Sequence, residues 1–407
     1  MLQRPRGTRD FLPEEMERRR YIEGTMRETA RRWGYREVCT PTFEMLELFT
    51  LRSGEGIIQE MYVFEDKGGR KLVLRPEVTA SVLRMYVNEG RFLPKPIRWC
   101  YVADCFRYER PQKGRYRQFW QFGAELIGAD TAAADAEVIL LAGEVLGSTG
   151  VSFETHVGHL APMRRMLADF DPAMQRRVMA FLDKRDMVGL ADALRALGHS
   201  DLYDDLAALA ASRELSEVFS ITGPIPEQAR IEETFALLDA AGMDYIPDFG
   251  IARGLDYYTG MVFECFAPNL GAENQILGGG AYRLAHLFGG EDVPSAGFAI
   301  GFDRVAVSLG EFFLPRAPAV AVLFTPEARD YAFTISKAFR DAGIRTELNL
   351  SGKGIGAQMK HAGREMDYAV IAGEREAASG TVTLRNLVSG EQRECTLADA
   401  VAEVSPT

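Results

Sequence analysis

Cysteine and histidine are scarce in this chain of 407 residues, with five of each. The cysteines stand at 39, 100, 105, 265 and 395, an odd number without a CxxC pair. That argues against a disulfide framework or structural zinc and fits a reducing cytoplasm. HExxH is absent, so nothing points to a zinc enzyme. No apolar run approaches the ~20 residues a bilayer crossing needs, and the start, Met1 to Arg6, leads into no apolar signal core; no membrane partner is expected. Basic residues are in deficit, 47 against 58 acidic ones, for a formal net charge of −11. Gripping nucleic acid with the whole surface is excluded by that balance; a local basic patch is not. Two familiar phosphate motifs are also missing. Ser351-Gly352-Lys353-Gly354 lacks the Walker spacing, and Gly278-Gly279-Gly280 lacks the third dinucleotide-binding glycine. What remains is an ordinary globular composition, 47% apolar and 26% charged, with length for two or three domains.

The pattern along the chain predicts a first helix. Pro13 suits its first turn, Glu14 and Glu15 its positive dipole end, and Gly34 its stop. Ile22, Met26, Ala30 and Trp33 form one apolar stripe. Tyr35 to Thr40 reads as a strand ending at Pro41. Residues 62–65 and 71–74 flank a Lys67-Gly68-Gly69 turn as a hairpin, and strands near 96–109 and 117–127 form a second hairpin with a long polar tip. This is an antiparallel sheet with helices, an α+β arrangement rather than repeated βαβ units. From 162 to 242, Met163, Met166, Leu167, Phe170, Val178, Phe181, Leu182, Leu190, Leu194 and Leu197 recur at helical spacing, so a helical insertion is expected. Strands resume at 262–266 and near 297–301. After the linker Leu314-Pro315-Arg316-Ala317-Pro318, alternating strands and helices over 319–407 read as a separate α/β domain.

Four clusters carry chemistry. Between Arg98 and Arg117 stand six basic residues (Arg98, Arg107, Arg110, Lys113, Arg115, Arg117) and two acidic ones, interleaved with Phe106, Tyr108, Tyr116, Phe119, Trp120 and Phe122. Arginines on one hairpin suit bidentate recognition of phosphate or carboxylate, and the aromatics suit stacking on a ring; a solvated charged face is the alternative. Glu77 and Thr79, two apart, share one side of an extended segment and suit an ammonium group. Gly250 to Gly260 sets Arg253, Tyr257 and Tyr258 between glycines, as backbone close to a ligand or as a turn with packed tyrosines. Residues 296–304 place small residues on a strand and deliver Arg304 on a following helix, as an approach to something flat or, in isolation, as an ordinary core strand. His156-Val157-Gly158-His159 is similar to a nucleotide-binding HxGH, but it lies far from the N-terminus with no KMSKS partner, and is set aside.

Together these clusters resemble the class II aminoacyl-tRNA synthetases, and within them the histidyl-tRNA synthetase family. Arg6-Gly7-Thr8-Arg9-Asp10-Phe11-Leu12-Pro13 opens the resemblance. Thr40-Pro41-Thr42-Phe43-Glu44 looks like motif 1, residues 106–119 look like motif 2, residues 297–304 look like motif 3, and Arg253-Gly254-Leu255-Asp256-Tyr257-Tyr258 is similar to the histidine-specific signature. The resemblance implies a class II antiparallel sheet with flanking helices, divided as catalytic core (1–161 and 243–314), helical insertion (162–242) and anticodon-binding domain (319–407). It implies a ligase that uses ATP, with Mg²⁺, to activate L-histidine and charge tRNA(His), acting as a cytoplasmic homodimer. Arg107, Arg253 and Arg304 are the implied catalytic residues. Arg107, Glu109, Arg115, Phe119 and Arg304 would bind ATP. Histidine would meet Glu77, Thr79, Arg107, Gln121, Glu125, Arg253, Tyr257, Tyr258 and Tyr282, and tRNA would meet Gln112 and Arg117. Where the family usually reads Gly-Gly-Arg-Tyr-Asp, this chain has Gly279-Gly280-Ala281-Tyr282-Arg283. A non-catalytic paralog that regulates ATP phosphoribosyltransferase shares the fold, but tends to lose the RGLDYY signature and the last domain, both present here.

Overall fold

The computed structural model describes residues 2–53, 55–110, 114–183, 186–251, 258–271, 274–312, 314 and 317–405. They form two compact units that divide between Phe312 and Phe313.

The first unit is built on helix α1 (Pro13–Arg32), strands β1 (Arg36–Glu37) and β2 (Phe43–Met45), helix α2 (Glu47–Ser53), strands β3 (Tyr62–Glu65) and β4 (Lys71–Leu74), helix α3 (Thr79–Met85), strands β5 (Ile97–Phe106) and β6 (Gln118–Ile127), helix α4 (Ala132–Ser148) and strand β7 (Glu154–His159). Six helices follow: α5 (Leu160–Met166), α6 (Pro172–Asp183), α7 (Met187–Ala196), α8 (Leu202–Ala211), α9 (Leu215–Thr222) and α10 (Gln228–Ala240). The chain returns through β8 (Ile246–Pro247), β9 (Tyr258–Phe266), β10 (Gln275–Tyr282) and β11 (Ser295–Gly301) to helix α11 (Phe302–Leu309).

Eight strands make the main sheet, in the order β1-β5-β6-β11-β10-β9-β7-β8, antiparallel except for the two edge pairs β1–β5 and β7–β8. Alternation along the strands separates its faces. Phe122, Ala124 and Leu126 of β6, Phe298 and Ile300 of β11 and Phe263 of β9 are buried in one core with Ile22, Met26 and Ala30 of α1 and Leu141, Val145 and Leu146 of α4. The α1 stripe is thus the expected one, and Gly34, at φ +80°, follows its end. The six-helix segment packs its own apolar stripe: Val178, Leu182, Leu190, Leu194, Leu206, Leu209 and Val218 are buried.

Two local expectations are corrected. The strand anticipated over Tyr35 to Thr40 is only two residues long. Beyond Val38, the carbonyls of Thr40 and Pro41 accept from Nη1 of the buried Arg75, at 2.9 and 3.1 Å, and Pro41 has no N–H for a ladder. Nor do Glu77 and Thr79 lie on extended chain. Val78 is already in the right-handed helical region, Thr79 begins α3, and the Glu77 carboxylate accepts from the N–H of Ala80 at 3.2 Å, covering a donor the first helical turn leaves unpaired.

In the second unit, five strands run β13 (Arg345–Leu348), β12 (Ala319–Phe324), β14 (Tyr368–Ala372), β15 (Thr381–Asn386), β16 (Gln392–Thr396). The first three are parallel and the last two antiparallel. Ile335 and Phe339 of helix α12 (Arg329–Asp341) share a core with Val320 and Val322.

Candidate active site

The face of the main sheet away from α1 and α4 is lined by small residues. Gly278 and Gly280 on β10 pair with Ala299 and Gly297 on β11, which pair in turn with Gly123 and Glu125 on β6. Gly278, Ala299 and Gly301 leave a trough across the strands. A cavity of about 760 Å³ opens in it, bordered by Arg107, Arg115 and Arg304 together with Glu109, Phe119 and Gln121. Residues from motif 2 and motif 3, nearly two hundred positions apart in the chain, therefore share one cavity.

Two of the three arginines are oriented by backbone carbonyls, the third by a carboxylate. Arg107 follows the end of β5 and donates from Nε to the carbonyl of Pro76 at 2.9 Å, with its guanidinium carbon 5.1 Å from the centre of the Phe119 ring. Arg304, in the first turn of α11, donates from Nη1 to the Gln275 carbonyl at 2.6 Å and from Nε to the Gly114 carbonyl at 3.4 Å. Arg115 is paired with Glu109. Both were expected to face ATP separately; here the carboxylate of one holds the guanidinium of the other.

Asp303, beside Arg304, is the anchor sequence reasoning missed. Its side chain is 2% exposed and takes ion pairs from Arg9 and Arg19, while its Oδ2 accepts the N–H of Trp120 at 2.7 Å. No local pattern marks it, because both arginines that hold it lie more than 280 residues away in the chain.

Along β6, four residues beyond Gln121 and on the same face, lies Glu125, fully buried. At 3.3–3.4 Å per residue that is roughly 13 Å away. Its carboxyl accepts from the phenol of Tyr101 at 3.1 Å and from that of Tyr282, and the Tyr101 hydroxyl is 3.5 Å from Thr79 Oγ1. Burial pushes its pKa up to about 8, against the pull of hydrogen bonds from Tyr282, Thr79 and Tyr101, and the neighbouring charge of Glu77 raises it further. Two glycines make room for this cluster. A Cβ on Gly297 would fall 1.8 Å from Glu125 Oε2, and one on Gly123 would fall 2.3 Å from the Tyr101 hydroxyl. Tyr101 went unnoticed in the sequence; its register opposite Gly123 was the available signal.

Thr79, Glu125 and Tyr282 are thus brought together, with Glu77 close enough to shift Glu125. Gln121 is buried and its Oε1 accepts from the Cys105 thiol at 3.3 Å. Tyr258 opens β9 opposite Tyr282. Arg253, Tyr257 and Gln112 lie outside the described residues. Arg117 is not part of the cavity: its Nε donates to the Glu109 carbonyl at 3.1 Å and its guanidinium carbon lies 4.2 Å from the centre of the Tyr108 ring. His156, set aside as part of HxGH, does border the cavity, with Nδ1 2.8 Å from Asp248 Oδ2. Arg283, where the family has Asp, instead bridges Asp130 at 2.6 Å and Asp292 at 3.1 Å, and Asp130 is also paired with Arg230 of α10. Arg283 is thereby linked through Asp130 to Arg230 of the helical segment.

The model of the Histidyl-tRNA synthetase family matches residues 7–305, and that of the Anticodon binding domain matches residues 319–406. A Histidine--tRNA ligase from Methanoculleus marisnigri is 68% identical over 405 residues, covering 100% of this chain and 99% of the relative. Among solved structures, apo S. aureus histidyl-tRNA synthetase is similar with a TM-score of 0.75 at 27% identity, covering 99% of this chain and 100% of its own. A Bacillus halodurans chain described as an ATP phosphoribosyltransferase regulatory subunit/histidyl-tRNA synthetase has a TM-score of 0.78 at 26% identity, covering 89% of this chain and 96% of its own. By the family match and by identity over its full length, the chain belongs to the histidyl-tRNA synthetase family.

Proposed function

We propose that this protein is a histidine–tRNA ligase. In the first step a carboxylate oxygen of L-histidine attacks the α-phosphorus of ATP, the bond to the β-phosphate breaks, and pyrophosphate leaves with the electron pair. In the second, the terminal ribose of tRNA(His) attacks the adenylate carbonyl and AMP leaves. One observation carries the reading: a single sheet face presents three arginines around one cavity and, four residues along β6 from Gln121 of that cavity, a buried carboxyl held by phenols, which suits a nucleotide triphosphate beside a small polar ring.

The chemistry asks for charge fixed in advance, since two anions must meet. Arg107 suits the α-phosphate and the histidine carboxylate, and Arg253, from the signature outside the described residues, would join it at the reacting centre. Arg115 and Arg304 suit the terminal phosphates. Phe119 and Glu109 are assigned to the adenine. Glu77, Thr79 and Gln121 are assigned to the α-amino group, and Glu125 with Tyr258 and Tyr282 to the imidazole, Tyr257 beside them. An imidazole offers a donor and an acceptor on opposite edges, and a ring without them leaves buried partners unpaired, which is a strong basis for rejection.

Among the described residues no group of three or more His, Cys, Asp or Glu side chains is arranged to hold a metal. Magnesium, brought in with ATP, would supply charge neutralisation on the phosphates. The chain's own part is to clamp the phosphate oxygens with guanidinium groups. Residues 319–407 are assigned to the anticodon, residues 162–242 to the acceptor stem as an insertion in the core (1–161 and 243–314), and Gln112 and Arg117 to the first base of tRNA(His). A homodimer is supported by Phe43, Met45 and Phe64, exposed on one face of the three-stranded sheet β2-β4-β3. No helix of the described residues is long and apolar enough to cross a membrane; a cytoplasmic location is part of the proposal.

The test is ATP–pyrophosphate exchange by pure protein with each of the twenty amino acids. Exchange that depends on histidine alone supports the reading. Exchange with none, from folded protein with magnesium, points instead to a regulatory subunit.

A further inference from the structure

The segment before α1 does not border the cavity, yet it joins two of its walls. Arg9 ion-pairs with Asp303, and its guanidinium carbon lies 3.6 Å from the centre of the Tyr116 ring. Asp303 and Tyr116 both border the cavity, one beside Arg304 and one beside Arg115. The Arg9 Nε is buried with no hydrogen-bond partner, so this guanidinium is held by that carboxylate and the aromatic faces around it. Two residues earlier, the Gly7 carbonyl accepts the N–H of Arg117 at 2.9 Å, at φ +85°, with its Cα so close that a Cβ would fall 2.7 Å from Arg117 Cγ. Phe11 packs edge-on against Trp120, ring centres 5.4 Å apart.

Residues 7–11 therefore run over the end of the β5–β6 hairpin as a strap and tie it to the start of α11. Arg19 also pairs with Asp303, at 2.7 Å, but from within α1, whose place is set by the core. Arg19 neutralises the carboxylate. Both touch the hairpin, but at different places: the Arg19 guanidinium carbon lies 4.8 Å from the centre of the Trp120 ring, within β6, whereas Arg9 stacks on Tyr116, next to Arg115. The two arginines assigned to the terminal phosphates sit on opposite sides of this joint, Arg304 on the helix and Arg115 on the hairpin.

We infer that Arg9 is a positioning residue for the triphosphate site: it fixes the separation between Arg115 and Arg304 without touching ATP. The inference rests on the ligase reading only in naming ATP as the ligand. A displacement of about 1 Å in a positioned group costs up to roughly 100-fold, so the effect belongs in ATP use and not in histidine use.

The experiment compares Arg9→Met and Arg9→Lys with the unmodified full chain. ATP affinity is measured calorimetrically without histidine, kcat/KM for ATP and KM for histidine are measured in exchange, and Tm is followed by circular dichroism. Arg9→Met is expected to weaken ATP binding and lower kcat/KM for ATP roughly 10-fold or more, leaving KM for histidine within about twofold. Arg9→Lys, which keeps the charge but not the planar stack, recovers part of the loss. Gly7→Ala, which lifts the strap with every charge retained, is expected to lower ATP affinity in the same way, and it decides the matter if Arg9→Met fails to fold. ATP affinity unchanged in the folded variants, or ATP and histidine affinities lost in parallel, overturns the inference. Binding of ATP is read without reference to the amino acid, so a protein that fails histidine-dependent exchange loses the ligase reading and leaves the ATP comparison intact.

Discussion

Replacing Glu125 by Gln should change how the stability of the first unit depends on pH. Burial, opposed by three hydrogen bonds, lifts this carboxyl from 4.5 to about 8. Between those values the folded protein holds a proton that the unfolded chain releases. Stability therefore falls as pH rises through that window, and the contribution is fully present only below the unfolded value. Each unit is about 1.36 kcal/mol, so the decline between pH 4.5 and 8 is on the order of 5 kcal/mol, with a slope no steeper than about 1.4 kcal/mol per unit. A glutamine has nearly the same shape, keeps a carbonyl for one phenol and does not titrate. All three tryptophans, Trp33, Trp99 and Trp120, lie in the first unit, so their fluorescence follows its urea unfolding. Glu125→Gln is expected to match or fall below the parent at pH 5 and to gain on it steadily up to pH 8. Parallel curves for the two proteins over that range would refute the reasoning, because the carboxyl would then titrate alike in the folded and unfolded chain.

Tyr101→Phe removes one of the two phenols on Glu125 without emptying the space over Gly123, and is expected to raise KM for histidine several-fold with KM for ATP unchanged in exchange assays. Arg253→Ala should lower the rate of adenylate formation far more than it weakens histidine binding, as stopped-flow turnover and equilibrium binding would show, since its charge counts most in the transition state. A chain ending before residue 319 should retain exchange and lose tRNA charging; equal loss of both would mean the two units do not act separately.

Much of this molecule was legible from local pattern. The α1 stripe, both hairpins, the helical segment and the alternation of the second unit follow from periodicities the core enforces, and Arg107, Arg115 and Arg304 follow from motif spacing. What escaped was set by contacts between distant segments. Gly278-Gly279-Gly280 gives no strand signal, yet it lies within β10, because Gly279 must admit the Phe263 ring, 2.4 Å from where its Cβ would be, and Gly280 the Tyr258 ring, 2.8 Å from its own. Alternation along an extended chain would set Glu77 and Thr79 side by side; instead the helix begins at Thr79 and Glu77 covers an amide of its first turn. Tyr101 and Asp303 looked like ordinary strand and helix residues, and only pairing across the sheet, or with Arg9 and Arg19, shows what they hold. Arg283, which departs from the family pattern, is paired with Asp130 and Asp292, neither of which the local sequence pattern links to it.

The central claim is that one trough receives both substrates side by side, and a crystal of this protein soaked with histidine and ATP measures it most directly. The account predicts triphosphate density among Arg107, Arg115 and Arg304, with the imidazole against Glu125. Density for the two ligands in separate cavities, or an imidazole away from Glu125, would contradict it.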